Sequence, residues 1–287
     1  MTRLVSSQVV GIVEGLEAYD GELLRKTGLS LRQIAARAAG STEDAVCHAF
    51  RSELAAVVPI TAGKGVIKGF AQSVAGIISY MGCPCFITDH ADAAGLADGI
   101  ERGSNIVFLA DDHRFVAVKL SERRVVDNAA ATAWAYACAL DSLVGGLKGR
   151  DVLLIGAGKV GEKALMALDH FGAKVGVFDI DQKRSGALAA KFGVKPEKNL
   201  SDALLQYTYF FDASPALAFI LPEHIKPGTA VAACGIPLGL SEEARMCIKE
   251  RIIYDPLQLG TATMLAMVVS HRTVNNTGGR SEGSHRP

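Results

Sequence analysis

The chain has 287 residues, 49 % of them hydrophobic, with 30 Lys+Arg balanced by 30 Asp+Glu. At about 150 residues per domain this is roughly two domains, with ample material for packed cores. Zero formal net charge argues against a protein that grips nucleic-acid phosphates or sits on a membrane through a polybasic face. The longest apolar run, Ala129–Leu140, falls short of the ~20 residues of a membrane span, and Met1–Val13 has no signal-peptide core. A cytoplasmic protein with no nucleic-acid or membrane partner is expected.

In chain order, residues 1–54 read as short helices. Val9, Val10, Ile12, Val13 and Leu16 recur at helical spacing. Ser30-Leu31-Arg32-Gln33 is a capping box, Gly40 a stop and Ser41-Thr42 a second start. Strand and helix then alternate: a strand at 56–60, a Gly-rich turn at Thr61–Gly65, a helix over 70–81, a strand at 86–88, a helix over 91–101 and a strand at 106–109. This alternation predicts a small parallel sheet. Phe115–Leu120 and Arg124–Val126 read as a hairpin, and Asn128–Leu143 as a long Ala-rich helix.

Gly145-Gly146-Leu147-Lys148-Gly149 marks the best domain boundary. Beyond it, strands at 151–155, 174–178, 208–212, 230–234 and 252–254 alternate with helices at 160–171, 183–192, 242–250 and 259–269. The expected fold is α/β: an N-terminal α/β substrate domain over 1–147 and a Rossmann-type, doubly wound parallel sheet over 148–270. Residues 271–287, poor in apolar side chains, read as a disordered tail. Six cysteines include no C-x-x-C pair, so buried reduced thiols are expected, and no metal site.

The clearest chemistry lies at Gly156-Ala157-Gly158-Lys159-Val160-Gly161, directly after the buried-strand run Asp151–Ile155. Gly156 permits a tight turn out of the strand, Gly158 lets backbone approach a pyrophosphate, and Gly161 lets helix and strand pack closely. The helix start at Lys159-Val160 would turn free N–H groups and the positive dipole end to the phosphates. A lone GxGxxG is a weak signal. Here a second strand ends at Asp179, 18 residues beyond Gly161, near the spacing of the acid that binds the adenine-ribose hydroxyls. A carboxylate there repels a 2′-phosphate, so NAD is expected over NADP. Asp181 competes for that role, and Lys183 and Arg184 weaken the exclusion. The later strand ends, Asp212–Pro215, Cys234–Pro237 and Asp255–Thr261, face the same cleft. Ala213, Ser214, Gly235 and Gly260 would therefore line the cofactor, with plain turn chemistry as the alternative for each.

The N-terminal half says less. Thr61–Gly65 either offers backbone N–H groups to an anion or is only a loop. Asp111-Asp112 lies at a strand end, where a carboxylate would hold an ammonium or close a turn. His90, His113 and His224 show no metal-ligand spacing.

A wider set of residues carries a resemblance. It comprises Thr27-Gly28-Leu29, Val58-Pro59-x-Thr61-x-Gly63-x-Gly65 with Gly69-Phe70, Phe86–Asp89, Ala110-Asp111-Asp112, and Asn128 with Thr132 and Tyr136. The glycine fingerprint, Gly235-Ile236-Pro237 and Pro256-Leu257-x-x-Gly260-Thr261-Ala262 with Met264-Leu265 complete it. On these, from about Leu4 to Val269, the chain resembles the pyrrolysine synthase family, NAD-dependent dehydrogenases that complete pyrrolysine biosynthesis. The resemblance implies a small-molecule substrate, L-lysine acylated on its ε-nitrogen by 3-methyl-D-ornithine. The terminal amine is oxidised to an imine, water releases ammonia to leave an aldehyde, and the ornithine α-amine closes the ring. It further implies that Asp111 holds the α-ammonium, that Leu4 and Ile60 pack against substrate, and that Thr61, Ala62 and Asn128 contact it. The family carries Ser where this chain has Ala62, so polar recognition there falls to backbone N–H groups, Thr61 or water. The stretch Ser41–Ala55 also differs in length. Two other readings stay open: another NAD-dependent dehydrogenase of a small amino or hydroxy acid, and a non-catalytic NAD sensor. The sequence names no catalytic base and is compatible with a homodimer.

Overall fold

The N-terminal segment of the computed structural model, which describes residues 4–270, carries helices α1 (Ser6–Val9), α2 (Leu16–Thr27), α3 (Leu31–Ala38) and α4 (Glu43–Arg51). The tail expected over 271–287 lies outside the described residues. The stripe expected as one helix is broken: residues 10–15 are turns, and Gly11 sits at φ +81°. Its inward members hold their places, with Val9, Ile12 and Leu16 buried while Val10 and Val13 face solvent. The reciprocal cap of α3 forms as read. Ser30 Oγ accepts from the Gln33 N–H at 3.2 Å, and Gln33 Oε1 accepts from the Ser30 N–H at 2.9 Å.

The first sheet contains β1 (Ala55–Val58), β2 (Cys85–Ile87), β3 (Ile106–Ala110), β4 (Phe115–Lys119) and β5 (Arg124–Asp127), in the order β2-β1-β3-β4-β5. Helices α5 (Phe70–Tyr80) and α6 (Asp92–Glu101) are its crossovers, so β1 runs parallel to β2 and β3. The β4–β5 hairpin adds an antiparallel edge to β3.

Helix α7 (Asn128–Leu143) leads into the second half. There follow β6 (Asp151–Ile155), α8 (Lys159–His170), β7 (Lys174–Phe178), α9 (Gln182–Phe192), β8 (Lys195–Pro196), α10 (Leu200–Gln206) and β9 (Tyr209–Asp212). The chain ends in β10 (Ala230–Ala233), α11 (Glu242–Cys247), β11 (Ile252–Tyr254) and α12 (Gln258–Val269). The sheet order is β11-β10-β9-β6-β7-β8 with every pairing parallel, and the winding reverses between β6 and β9. That reversal point is where doubly wound sheets bind ligands. β8 spans two residues, too few to leave a sequence period.

Helices α7 and α12 tie the halves together. Every residue of α12 is buried, as are twelve of the sixteen in α7, so neither shows the one-sided pattern of a surface helix. α12 packs on α7 and α3 and returns to β4 and β5 of the first sheet. One apolar cluster runs from Val9 through these helices to Val152 and Leu154 of the second sheet. No described helix is long and apolar enough to cross a membrane. Burial pushes the Cys83 and Cys85 thiols up to about 12, which keeps them neutral. Cys247, expected buried with the others, is exposed.

Candidate active site

A cavity of about 570 Å³ opens where the carboxyl ends of β1, β3, β9, β10 and β11 converge. Its dinucleotide side is the turn after β6. Gly156 adopts φ +99°, and a Cβ there would meet the Ala213 carbonyl at 3.0 Å. A Cβ on Gly161 would lie 1.9 Å from the Gly156 oxygen. These two glycines shape the turn, whereas Gly158, Lys159 and Val160 line the cavity. A Cβ on Gly158 would meet nothing within 4 Å, and this residue caps α8 without a side-chain bond. The first-turn N–H groups of α8 are thus left to an anion, and the open backbone cradle suits a pyrophosphate.

Asp179 pins this turn to the end of β7: Oδ2 accepts from the Ala157 N–H at 2.6 Å and Oδ1 from the Asp181 N–H at 2.8 Å. Each oxygen retains a lone pair for a ribose diol. Asp179 does not line the main cavity, but Arg184 does. The competitor Asp181 caps α9 through the Lys183 N–H at 3.1 Å and pairs with Arg184 at 3.3 Å.

Ala213, Ser214, Gly235 and Gly260 all line the cavity. Ala213 donates its N–H to the Ile155 carbonyl at 2.8 Å, while Ser214 and Gly235 are positioned by Asp212, a buried acid that sequence reasoning treated only as part of a loop. Its carbonyl accepts from the Cys234 and Gly235 N–H groups at 2.9 and 3.0 Å. Its Oδ1 accepts from the Ser214 N–H at 2.9 Å and the Ser214 hydroxyl at 2.7 Å. Burial pushes this carboxyl up to about 6. Gly260 has a packing role: a Cβ there would lie 2.7 Å from both Asn128 Oδ1 and Thr132 Oγ1.

On the N-terminal side, Leu4, Ile60, Ala62, Asp111 and Asn128 line the cavity. Thr61 is not among the lining residues; its N–H reaches Asp92 Oδ1 at 2.8 Å and its hydroxyl donates to Asp92 Oδ2. From the other side Asp112 Oδ2 accepts from the Lys64 N–H at 2.8 Å. The Gly-rich turn is therefore clasped by two carboxylates. Asp111 is exposed, and its Oδ1 accepts from the Arg114 and His113 N–H groups, each at 2.7 Å. Those donors hold its carboxyl below the usual range, so it is an anion at neutral pH. Turn closure and cation binding are compatible here, since the turn engages one oxygen.

Asn128, Thr132 and Tyr136 recur four residues apart on α7 and all line the cavity. Tyr136 meets Asp255, an acid whose role sequence reasoning missed. The Tyr136 hydroxyl lies 2.7 Å from the Asp255 carbonyl and 2.9 Å from Oδ2, and accepts from the Asp255 N–H at 2.9 Å. The Tyr19 hydroxyl, from α2, donates to the same Oδ2 at 2.7 Å. Leu257 and Leu259 N–H groups donate to Oδ1 at 3.0 and 3.2 Å. Burial pushes the Asp255 carboxyl and both phenols up. The available signal was an acid closing a buried strand just before Pro256. Among the described residues no cluster of His, Cys, Asp and Glu would hold a metal ion.

Known proteins resemble this chain to different extents. Residues 8–126 match the family model described as Pyrrolysine biosynthesis protein PylD, N-terminal domain. A pyrrolysine synthase of Methanosarcina barkeri (strain Fusaro / DSM 804) is 28 % identical over 94 % of this chain and 98 % of its own length. One from Methanosarcina acetivorans is 27 % identical over 94 % of this chain and 100 % of its own length. These matches bear out the resemblance read from the motifs. Quinate dehydrogenase from Corynebacterium glutamicum in complex with NAD superposes with a TM-score of 0.52 at 14 % identity, over 76 % of this chain and 94 % of that one. Shikimate 5-dehydrogenase from Thermus thermophilus in complex with NADP(H) and shikimate gives 0.51 at 17 % identity, over 76 % and 91 %. They show the fold: an α/β chain with a Rossmann-type parallel sheet.

Proposed function

We propose that the protein is an NAD-dependent amine dehydrogenase of the pyrrolysine synthase type. It would oxidise the terminal amine of L-lysine-Nε-(3-methyl-D-ornithine), release ammonia from the resulting imine, and let the ornithine α-amine close the pyrroline ring. The observation that carries this reading is one cavity joining a dinucleotide cradle to Leu4, Ile60, Asp111 and Asn128. The curated relatives support a dehydrogenase role in pyrrolysine biosynthesis.

When bound, NAD supplies the hydride acceptor. The α8 N-terminus and Gly158 would hold its pyrophosphate, and Asp179 its adenine ribose. The remaining work is binding, orientation and exclusion of water. Asp111, kept anionic by its turn, would take the ornithine α-ammonium, and Leu4 and Ile60 would pack on the aliphatic chain. Ala62 brings no hydroxyl, so Asn128, the side-chain amide among the lining residues, would take part of the polar recognition.

The test is turnover of the synthetic lysyl-methylornithine amide with NAD, followed by absorbance, ammonia assay and product mass. Equimolar NADH, ammonia and pyrrolysine are expected. No reduction of NAD by this amide, with reduction by a simpler amino or hydroxy acid, would replace the reading with a different dehydrogenase. Tight NADH binding without turnover of any of these would make the protein a sensor.

A further inference from the structure

Amine oxidation requires the nitrogen lone pair, which an alkylammonium at neutral pH lacks. On the amine-oxidation reading above, a proton acceptor must therefore reach the cavity. Four carboxylates line it: Asp111, Asp112, Asp127 and Asp255. Asp111 is exposed and held as an anion by two N–H donors. Asp112 clasps the Lys64 N–H. Asp127 caps α7 through the Ala129 N–H at 2.9 Å and pairs with Arg114 at 3.0 Å. Asp255 differs from these three. It is 5 % exposed and closes β11 at the sheet edge where a dinucleotide's reactive end is expected.

We propose that Asp255 takes the proton from the substrate's terminal ammonium, with Tyr136 as its switching partner and Tyr19 as its anchor. One N–H bond of the ammonium breaks and one O–H bond forms on Asp255. The electron pair stays on nitrogen, where it drives departure of hydride from the adjacent carbon. A cation and an anion become two neutral groups, which a closed site of low polarity favours.

The hydrogen bonds allow this without orphaning a group. The Tyr136 proton has two acceptors on one residue, Oδ2 at 2.9 Å and the carbonyl at 2.7 Å, and serves one at a time. When Oδ2 is protonated, Tyr136 keeps the carbonyl. Tyr19, Leu257 and Leu259 hold the carboxyl plane meanwhile. The titratable groups facing Asp255 are Tyr19 from α2, Tyr136 from α7, Cys234 beyond β10 and Tyr254 from its own strand. Burial raises all four, so they are neutral and none is a cation that would repel the incoming proton. Burial likewise raises the proton affinity of Asp255 itself. His113 also lines the cavity, but it is exposed on the β3–β4 turn beside Asp111, at the end assigned to the other ammonium.

The experiment is the pH profile of kcat/KM for wild type, Asp255→Asn and His113→Gln with the lysyl-methylornithine amide and NAD. Asp255→Asn should lose about 10²- to 10⁴-fold at neutral pH, the usual range for a general base. Its activity should then climb tenfold per pH unit as free amine forms in solution, towards the amine's own pKa of about 10.4. NADH affinity should stay within twofold. Infrared difference spectra should show a protonated-carboxyl stretch when wild type binds substrate, absent in Asp255→Asn. An Asp255→Asn profile parallel to wild type, or loss of the base limb in His113→Gln alone, overturns the proposal. If Asp255→Asn does not fold, absence of the carboxyl band in wild type overturns it instead. Wild type that reduces no NAD with this substrate overturns the underlying reading as well. Turnover in wild type with an equally fast Asp255→Asn overturns the proposal alone.

Discussion

Replacing Gly260 by alanine places one methyl group where α12 crosses α7. Its Cβ would lie 2.7 Å from both Asn128 Oδ1 and Thr132 Oγ1, well inside the ~3.5 Å at which non-bonded atoms sit comfortably. Both neighbours are half-buried on the cavity wall and are tied to each other, Thr132 Oγ1 donating to Asn128 Oδ1 at 3.3 Å, so relief of the clash has to disturb that bond. Overpacking of this kind costs about 1–3 kcal/mol. Gly260 is the third residue of α12, so alanine returns at most the ~0.8–1.0 kcal/mol of a helix interior. The clash wins, leaving a net loss of up to about 2 kcal/mol, which for a chain of this length lowers Tm by as much as ~4 °C. Gly186 on α9 is the internal control, because a Cβ there meets nothing within 4 Å. Gly186→Ala should raise Tm by about 1–2 °C. Thr132→Ala removes one of the two clashing atoms, so the Gly260→Ala/Thr132→Ala pair should recover at least ~0.5 kcal/mol relative to additivity. Calorimetry of the four variants reads this directly. A stabilised Gly260→Ala, or strict additivity with Thr132→Ala, would refute the packing argument.

Asp111→Asn keeps an oxygen for its turn but loses the charge, so kcat/KM should fall at least fivefold, carried by KM, with Tm unchanged; kinetics that match wild type would return Asp111 to turn chemistry. Asp112→Asn still offers an oxygen to the Lys64 N–H and should be near neutral, whereas Asp112→Ala should speed hydrogen exchange at Lys64 and raise KM. Wild type should bind NADH more tightly than NADPH, and Asp179→Ala should weaken NADH at least tenfold and narrow that gap; unchanged affinities would move ribose binding to Asp181. Burial lifts the Asp212 carboxyl from 3.8 to about 6, so between those values the folded protein holds a proton that the unfolded chain releases. The stability this site contributes is therefore complete below that window and falls as pH rises through it, by roughly 3 kcal/mol. Asp212→Asn should lose that slope, and a Tm difference from wild type that is constant across the window would contradict it.

The strands that bury two faces, Asp151–Ile155 and Lys174–Phe178, were legible because continuous apolar runs bounded by Gly and Asp leave few alternatives. So was the α3 cap, whose chemistry is local. The N-terminal stripe was misread as one helix. Its spacing reports which side chains face inward, and that survives when Gly11 at φ +81° breaks the helix. Asp112, Asp212 and Asp255 were illegible for a different reason. Each works through partners far along the chain: Lys64 for Asp112, Cys234 and Gly235 for Asp212, Tyr19 and Tyr136 for Asp255. No local period encodes such a pairing.

The clasp on the Gly-rich turn changes what the Ala62 position means. Thr61 gives its N–H and hydroxyl to Asp92, and Lys64 gives its N–H to Asp112. A Cβ on Gly63, at φ +73°, would fall 2.2 Å from Asp112 Oδ2, so the turn closes on that acid only with glycine there. With its flanks engaged, the turn presents the Ala62 methyl to the cavity in place of a hydroxyl donor. On the proposed function, polar discrimination on this wall would fall to the α7 row of Asn128 and Thr132, the same two side chains whose positions Gly260 protects. Returning a hydroxyl through Ala62→Ser should therefore lower KM for the lysyl-methylornithine amide most in a Thr132→Ala background, where the row is weakened. Equal gains in both backgrounds would mean that the turn and the helix contact different parts of the substrate.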